Sequence, residues 1–151
     1  MFKRFLCTLG AAPTSVSGST GAPPYLGGVI SATFLSPSFT GTNPTTATYG
    51  SLTLTPGVYI LNASGYVVSA NAVYQSFSSI LTDGTNVYAT NTPFAVSSNT
   101  VASGFTWAGH VTGILDITTT TTINFNIIIY LLSGTVGSNP SGFTYKAVRV
   151  G

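Results

Sequence analysis

Residues suited to a pleated sheet fill this chain, and residues that sustain a helix are almost missing from it. In 151 residues there is no Glu, only two Lys and one Gln, while Thr, Val, Ile, Tyr and Phe recur in short runs set apart by Gly, Pro, Asn and Ser. β-branched and aromatic side chains pack well on a half-buried pleat, and Glu, Lys and Gln are among the residues a helix tolerates best. No stretch carries an apolar stripe at helical spacing. The chain is therefore expected to be all β.

The runs can be set out in order. Residues 1–28, rich in Gly, Ser, Thr, Ala and Pro, read as an extended N-terminal arm or linker, and residues 29–151 as one domain. Strands are expected at Val29–Leu35, Thr45–Leu54, Val58–Ser69 and Val73–Leu81. Two turns punctuate them. Thr55-Pro56-Gly57 combines a proline-fixed φ with a glycine for the left-handed position, and Asp83-Gly84 is a strong hairpin signal leading into a partner strand at Asn86–Thr90. After a loop over 91–103, long strands are expected at Gly104–Ile117 and Thr118–Leu132. A second loop over 133–142 precedes a last strand at Phe143–Val150. About eight strands in one domain predict a two-sheet antiparallel β-sandwich of jelly-roll type.

Charge adds a second constraint. Only 4 % of residues are charged, and between Phe5 and Tyr145 the formal charges are Asp83 and Asp116 alone. A solitary soluble domain gives about a quarter of its residues to charge. The shortage predicts a working state in which other chains cover much of the surface. The net charge of +2 comes from Lys3, Arg4, Lys146 and Arg149 at the two ends, which is no basic patch and gives no ground for a nucleic-acid partner. The longest uninterrupted apolar run, Ile127–Leu132, is far shorter than a membrane-spanning helix, so membrane insertion is not expected.

Candidate contact residues follow from the same patterning. Met1, Phe2, Lys3, Arg4 and Phe5 would anchor the arm on a partner. Asn124–Leu132 combines high β propensity with no charge and no proline, a hazard at an exposed edge, so it is expected to be a central strand. Apolar residues on both of its faces make Ile127, Ile128, Ile129, Tyr130 and Leu132 candidates for a subunit interface. Tyr74, Tyr88, Phe94 and Trp107 are candidates for stacking on a sugar ligand, although core packing is the favoured role for Trp107.

Candidates for chemistry are few. His110 and Asp116 share a face of one expected strand but stand about 20 Å apart at ordinary strand rise, too far for a dyad. His110 is read as a strand residue with a satisfied hydrogen bond, and Asp83 as a turn former. Asp116 could pair across strands with Lys146 or Arg149. Cys7, the single cysteine, has no partner for nucleophilic catalysis or for a disulfide, and Asn62-Ala63-Ser64 matches a glycosylation acceptor inside an expected strand. These observations predict no catalytic residue, no cofactor, no metal and no enzyme.

The stretch Ser51-Leu-Thr-Leu-Thr-Pro-Gly-Val-Tyr-Ile-Leu-Asn-Ala-Ser-Gly65, with the ending Phe143-Thr-Tyr-Lys-Ala-Val-Arg-Val-Gly151, resembles the tumour-necrosis-factor-like jelly-roll domains of bacteriophage fibre, spike and head-associated decoration proteins. The resemblance spans roughly residues 29–151. It implies a homotrimer around a three-fold axis and carries over no catalytic residue. The expected function is a non-enzymatic structural protein on the outer surface of a virion, partnered with other virion proteins and contributing to host attachment through a glycan or receptor. A carbohydrate-binding adhesin module, or a self-assembling filament or coat protein at the cell surface or outside the cell, is the alternative.

Overall fold

The computed structural model describes residues 16–17, 26–37, 39, 44–100 and 106–151, with the side chains of 16–17, 68–75, 93–100, 106–107 and 131–141 outside the description. Seven strands follow in order: β1 (Val16–Ser17), β2 (Val29–Ser31), β3 (Thr45–Leu54), β4 (Gly57–Thr82), β5 (Val87–Thr100), β6 (Thr106–Ile117) and β7 (Thr121–Arg149). The two longest, β4 and β7, each run through two sheets. With β1 set aside, their halves together with β2, β3, β5 and β6 make eight segments, four in each sheet of the sandwich.

One sheet is ordered β2, the C-terminal half of β7, the N-terminal half of β4, then β6. The other is ordered β3, the N-terminal half of β7, the C-terminal half of β4, then β5. Counted along the chain, the segment orders are 1-8-3-6 and 2-7-4-5, with every one of these pairs antiparallel. That is a jelly roll. The short β1, within the expected arm, adds itself parallel to β2.

The core lies between the sheets and follows the alternation of each strand. Leu52 and Leu54 of β3, Tyr59, Leu61 and Ala63 of β4, Val111, Leu115 and Ile117 of β6, and Ile123, Phe125, Ile127 and Ile129 of β7 all point inward. Burying one such Leu, Ile or Phe side chain stabilises the fold by about 1.5–3 kcal/mol before entropy is counted, so the shared interior holds the two sheets together. Two buried tyrosines cross that interior. Tyr49 donates its hydroxyl to the carbonyl of Tyr66 at 3.0 Å, and Tyr145 to that of Ile123 at 3.0 Å. Gly65 lies under the Tyr49 ring, where a Cβ would come within 2.7 Å of it.

Both expected turns are present. Gly57 has φ +152°, and an added Cβ would meet the Arg149 side chain; Gly84 has φ +94° in the β4–β5 hairpin. Asn124–Leu132 is central, with β3 on one side and β4 on the other.

Four expected boundaries move, the first being the strand expected at Val29–Leu35, which ends at Ser31. The break expected between 69 and 73 is an irregularity inside β4: pairing with β7 runs to Ala70 and resumes at Val73, with register shifts there and at Tyr74. The loop expected over 133–142 is largely strand: Ser138 and Asn139 pair with Val67 and Tyr66, and pairing resumes at Thr144 with Ser64. Likewise β5 runs on through residues 91–100 opposite β4. Gly, Ser and Asn are weak strand formers, but a neighbouring strand that needs its N–H and C=O groups paired overrides that preference.

Candidate functional site

Each sheet has an outer face, and the two are built differently. On the sheet that contains β6, the register places Ile114 opposite Ile60, Ile60 opposite Val148, and Val148 opposite Val29. These four positions have outward parity, flanked along their strands by the buried Leu115, Tyr59, Leu61, Ala147 and Ile30. The result is an apolar row that crosses all four strands, with Val58 beside it. Ile114 is 74 % exposed and Ile60 39 %. Directly opposed residues on one sheet face have Cβ atoms about 4.5–5.5 Å apart, so the row is continuous.

Charge and polarity frame the row. Asp116 sits opposite Val58 on one side of it, and Lys146 opposite Asn62 on the other. Both are exposed, and neither has an ion-pair partner among the described residues. Asp116 therefore does not form the expected pair with Lys146 or Arg149: Lys146 is two strands away, and Arg149 donates from Nε to the Gly151 carbonyl and from Nη2 to the Pro56 carbonyl, each at 3.2 Å. Those contacts hold the chain end against β4. The Val58 amide also donates to Gly151 at 2.8 Å and the Val150 amide to Val58 at 2.8 Å.

Where its side chains are described, the outer face of the second sheet is neutral and mostly polar. Ser51 donates to Asn124 Oδ1 at 2.7 Å, and the Thr53 and Thr122 hydroxyls lie 3.0 Å apart. Its aliphatic residues are staggered: Ile128 lies opposite Ser78 and Thr46, and Ile80 opposite Asn126 and Thr90. Asn126 Oδ1 is buried and has no hydrogen-bond partner.

The sequence-predicted residues fall as follows. Met1, Phe2, Lys3, Arg4, Phe5 and Cys7 lie outside the described residues. Ile127 and Ile129 belong to the protein's own core at 0 % exposure, which leaves Ile128 and Tyr130 of that group facing outward, with the Leu132 side chain outside the description. Tyr74, Phe94 and Trp107 lie in β4, β5 and β6, their side chains likewise outside the description. Tyr88 is exposed and donates its hydroxyl to Asp83 Oδ2 at 2.5 Å, which raises its own pKa.

Asp83 closes the hairpin as expected. Its carboxylate accepts from the backbone amides of Asn86 at 2.7 Å and Thr85 at 2.8 Å and from the Asn86 side chain at 3.0 Å. Those bonds, led by the Asn86 amide and then the Tyr88 hydroxyl, hold its carboxyl well below the usual carboxylate range. Its oxygens are thus committed to the turn. His110 and Asp116 are both exposed on the outer face of β6, and His110 Nε2 lies 3.3 Å from the Thr112 hydroxyl. Among the described residues, no three of His, Cys, Asp and Glu come together.

The residues missed from sequence are the four of the row, Val29, Ile60, Ile114 and Val148, of which Ile60 and Ile114 are the most exposed. The signal for those two was present. Val58-Tyr-Ile-Leu61 and Ile114-Leu115 place apolar residues at both parities, the same property that singled out Ile127–Leu132.

Fold and face together define an eight-segment antiparallel jelly roll with one apolar outer face. No protein-family model matches the chain, and no curated protein matches its sequence. Among solved structures it is similar to a Stig cyclase from Fischerella sp. TAU in complex with (3Z)-3-(1-methyl-2-pyrrolidinylidene)-3H-indole, at 12 % identity over 89 % of this chain and 82 % of that one, with a TM-score of 0.44. It is also similar to a cyclase from the same organism, at 12 % identity over 82 % of this chain and 75 % of that one, with a TM-score of 0.41. Both bear the names of enzymes, and the expectations of a non-enzyme and of a viral structural protein find no support there and are withdrawn. At such identity and TM-score, the likeness brings neither a reaction nor a substrate to this chain.

Proposed function

We propose that this protein works as a homo-oligomer that self-associates through the outer face of the sheet containing β6. The observation that carries this reading is the aligned row Ile114–Ile60–Val148–Val29, in a chain with 4 % charged residues. Scattered exposed aliphatic residues are ordinary on a protein surface, whereas an apolar row spanning a sheet and rimmed by polar residues marks an interaction site. A second copy offers the same row and so matches it without any further partner.

Solution mass tests the reading. Sedimentation of the full chain should give a mass of more than one copy, and Ile114→Lys, which places an ammonium on the row, should shift it to one copy with an unchanged circular dichroism spectrum. A wild-type chain that sediments as a monomer across the micromolar range would overturn it.

A further inference from the structure

We infer that the self-association is a two-fold, face-to-face pairing centred on Ile60, in which Asp116 of each copy meets Lys146 of the other. This rests on the reading that the chain self-associates through this face. The register supplies the argument. Asp116 is aligned with Val58 and Lys146 with Asn62, and on β4 those residues stand two positions before and two after Ile60. Across the sheet, β4 lies between β6, which carries Asp116, and β7, which carries Lys146. Ile60 is thus the midpoint between the two charges.

With about 3.3 Å per residue and about 4.8 Å between strands, Asp116 and Lys146 are separated by about 13 Å along the strands and about 10 Å across them, or about 16 Å in all. A two-fold axis that lies in the interface and passes Ile60 along the perpendicular bisector of that line carries each of these positions onto the other. Both opposite-charge contacts then form at once, and the two Ile60 side chains meet at the centre. The strands of the two copies cross at about 70°, towards the near-perpendicular class of sheet packing.

The same operation crosses the two apolar rows at about 70°, so that they meet at Ile60, with Val148 of each copy near Val58 of the other. It also accounts for Asp116 and Lys146, unpaired among the described residues, being of opposite sign and lying on opposite sides of the row. An isologous contact needs self-complementarity, which two like charges at these positions would deny. In a ring of three copies each contact joins two different patches, so Asp116 and Lys146 of one copy would face different neighbours instead of the same one.

Charge reversal and crosslinking test the pairing in the full chain. Asp116→Lys and Lys146→Asp should each weaken association at least tenfold in sedimentation equilibrium, and the double exchange should restore it to within about threefold of wild type. Since neither residue has a charge partner among the described residues, the circular dichroism of all three variants should match the wild type. With Ile60→Cys in a Cys7→Ser background, mild oxidation should yield a covalent dimer. A double exchange no tighter than the single variants, or a failure to crosslink at position 60 in a chain that does self-associate, would overturn the two-fold pairing and leave self-association standing; a monomeric wild type would overturn both.

Discussion

The two outer faces of the sandwich are built from the same alternation, yet only one of them asks for a partner. On the sheet formed by β3, β7, β4 and β5, polar groups answer one another across the strands, as Ser51 does with Asn124 and Thr53 with Thr122. The aliphatic residues there are staggered, each set against a serine, threonine or asparagine. On the sheet formed by β2, β7, β4 and β6, the aliphatic residues fall in register, so the apolar area adds up instead of being interrupted. Alignment, more than apolar content, separates a solvated face from a contact face.

The largest expected effect comes from the interior that both faces share. Phe125→Ala should cost about 3–5 kcal/mol in denaturant unfolding, because its ring lies in the core with centroids 5.8 Å from Tyr49 and 6.0 Å from Tyr145. A loss under about 1 kcal/mol would show that the two sheets do not depend on this contact.

The comparison itself is sharpened by Ile128→Lys. Set among Ser78 and Thr46 on the polar face, it should leave the solution mass unchanged, in contrast to a lysine at Ile114. If Ile128→Lys dissociates the assembly, the contact face has been assigned to the wrong sheet.

Alkaline pH acts on the interior through Tyr49 and Tyr145. Burial pushes both hydroxyls well above the ordinary value of 10.0. A folded-state pKa raised above the unfolded value contributes stability that is fully present below the unfolded value and is lost as pH rises towards the folded one. Unfolding free energy should therefore fall progressively above pH 10, read by denaturant titration. The decline should be shallower in Tyr145→Phe, which has one such group fewer.

The smallest change is expected at Asn126, whose Oδ1 is buried without a partner. Replacing it by valine removes an unsatisfied acceptor between Thr48 and Ile80 and should be neutral or stabilising by up to about 1 kcal/mol in the unfolding midpoint. A clear destabilisation would mean that the amide makes a bond needed on that face.

How much of this was legible in the sequence differs from element to element. The hairpin at Asp83-Gly84 and the turn at Thr55-Pro56-Gly57 could be read directly, since a carboxylate that captures nearby amides and a glycine with positive φ are local devices. The inward set of β3 and the N-terminal half of β7 could be read from period-2 alternation. The interface group around Ile127 was read less well, because a strand apolar at both parities does not reveal which parity faces its own core.

The sequence by itself determined the all-β class, the turn positions and the alternation of the core residues in β3 and the N-terminal half of β7, because each depends on residues a few positions apart. Only the tertiary structure decided that β4 and β7 each run through both sheets and that residues 133–142 largely join a strand. The same holds for the row itself: Val29, Ile60, Ile114 and Val148 are far apart in the chain and share a line only through the register of three strand pairs. A register slip of one residue would turn those side chains to the opposite face, and what prevents the slip is the burial of the whole core at once.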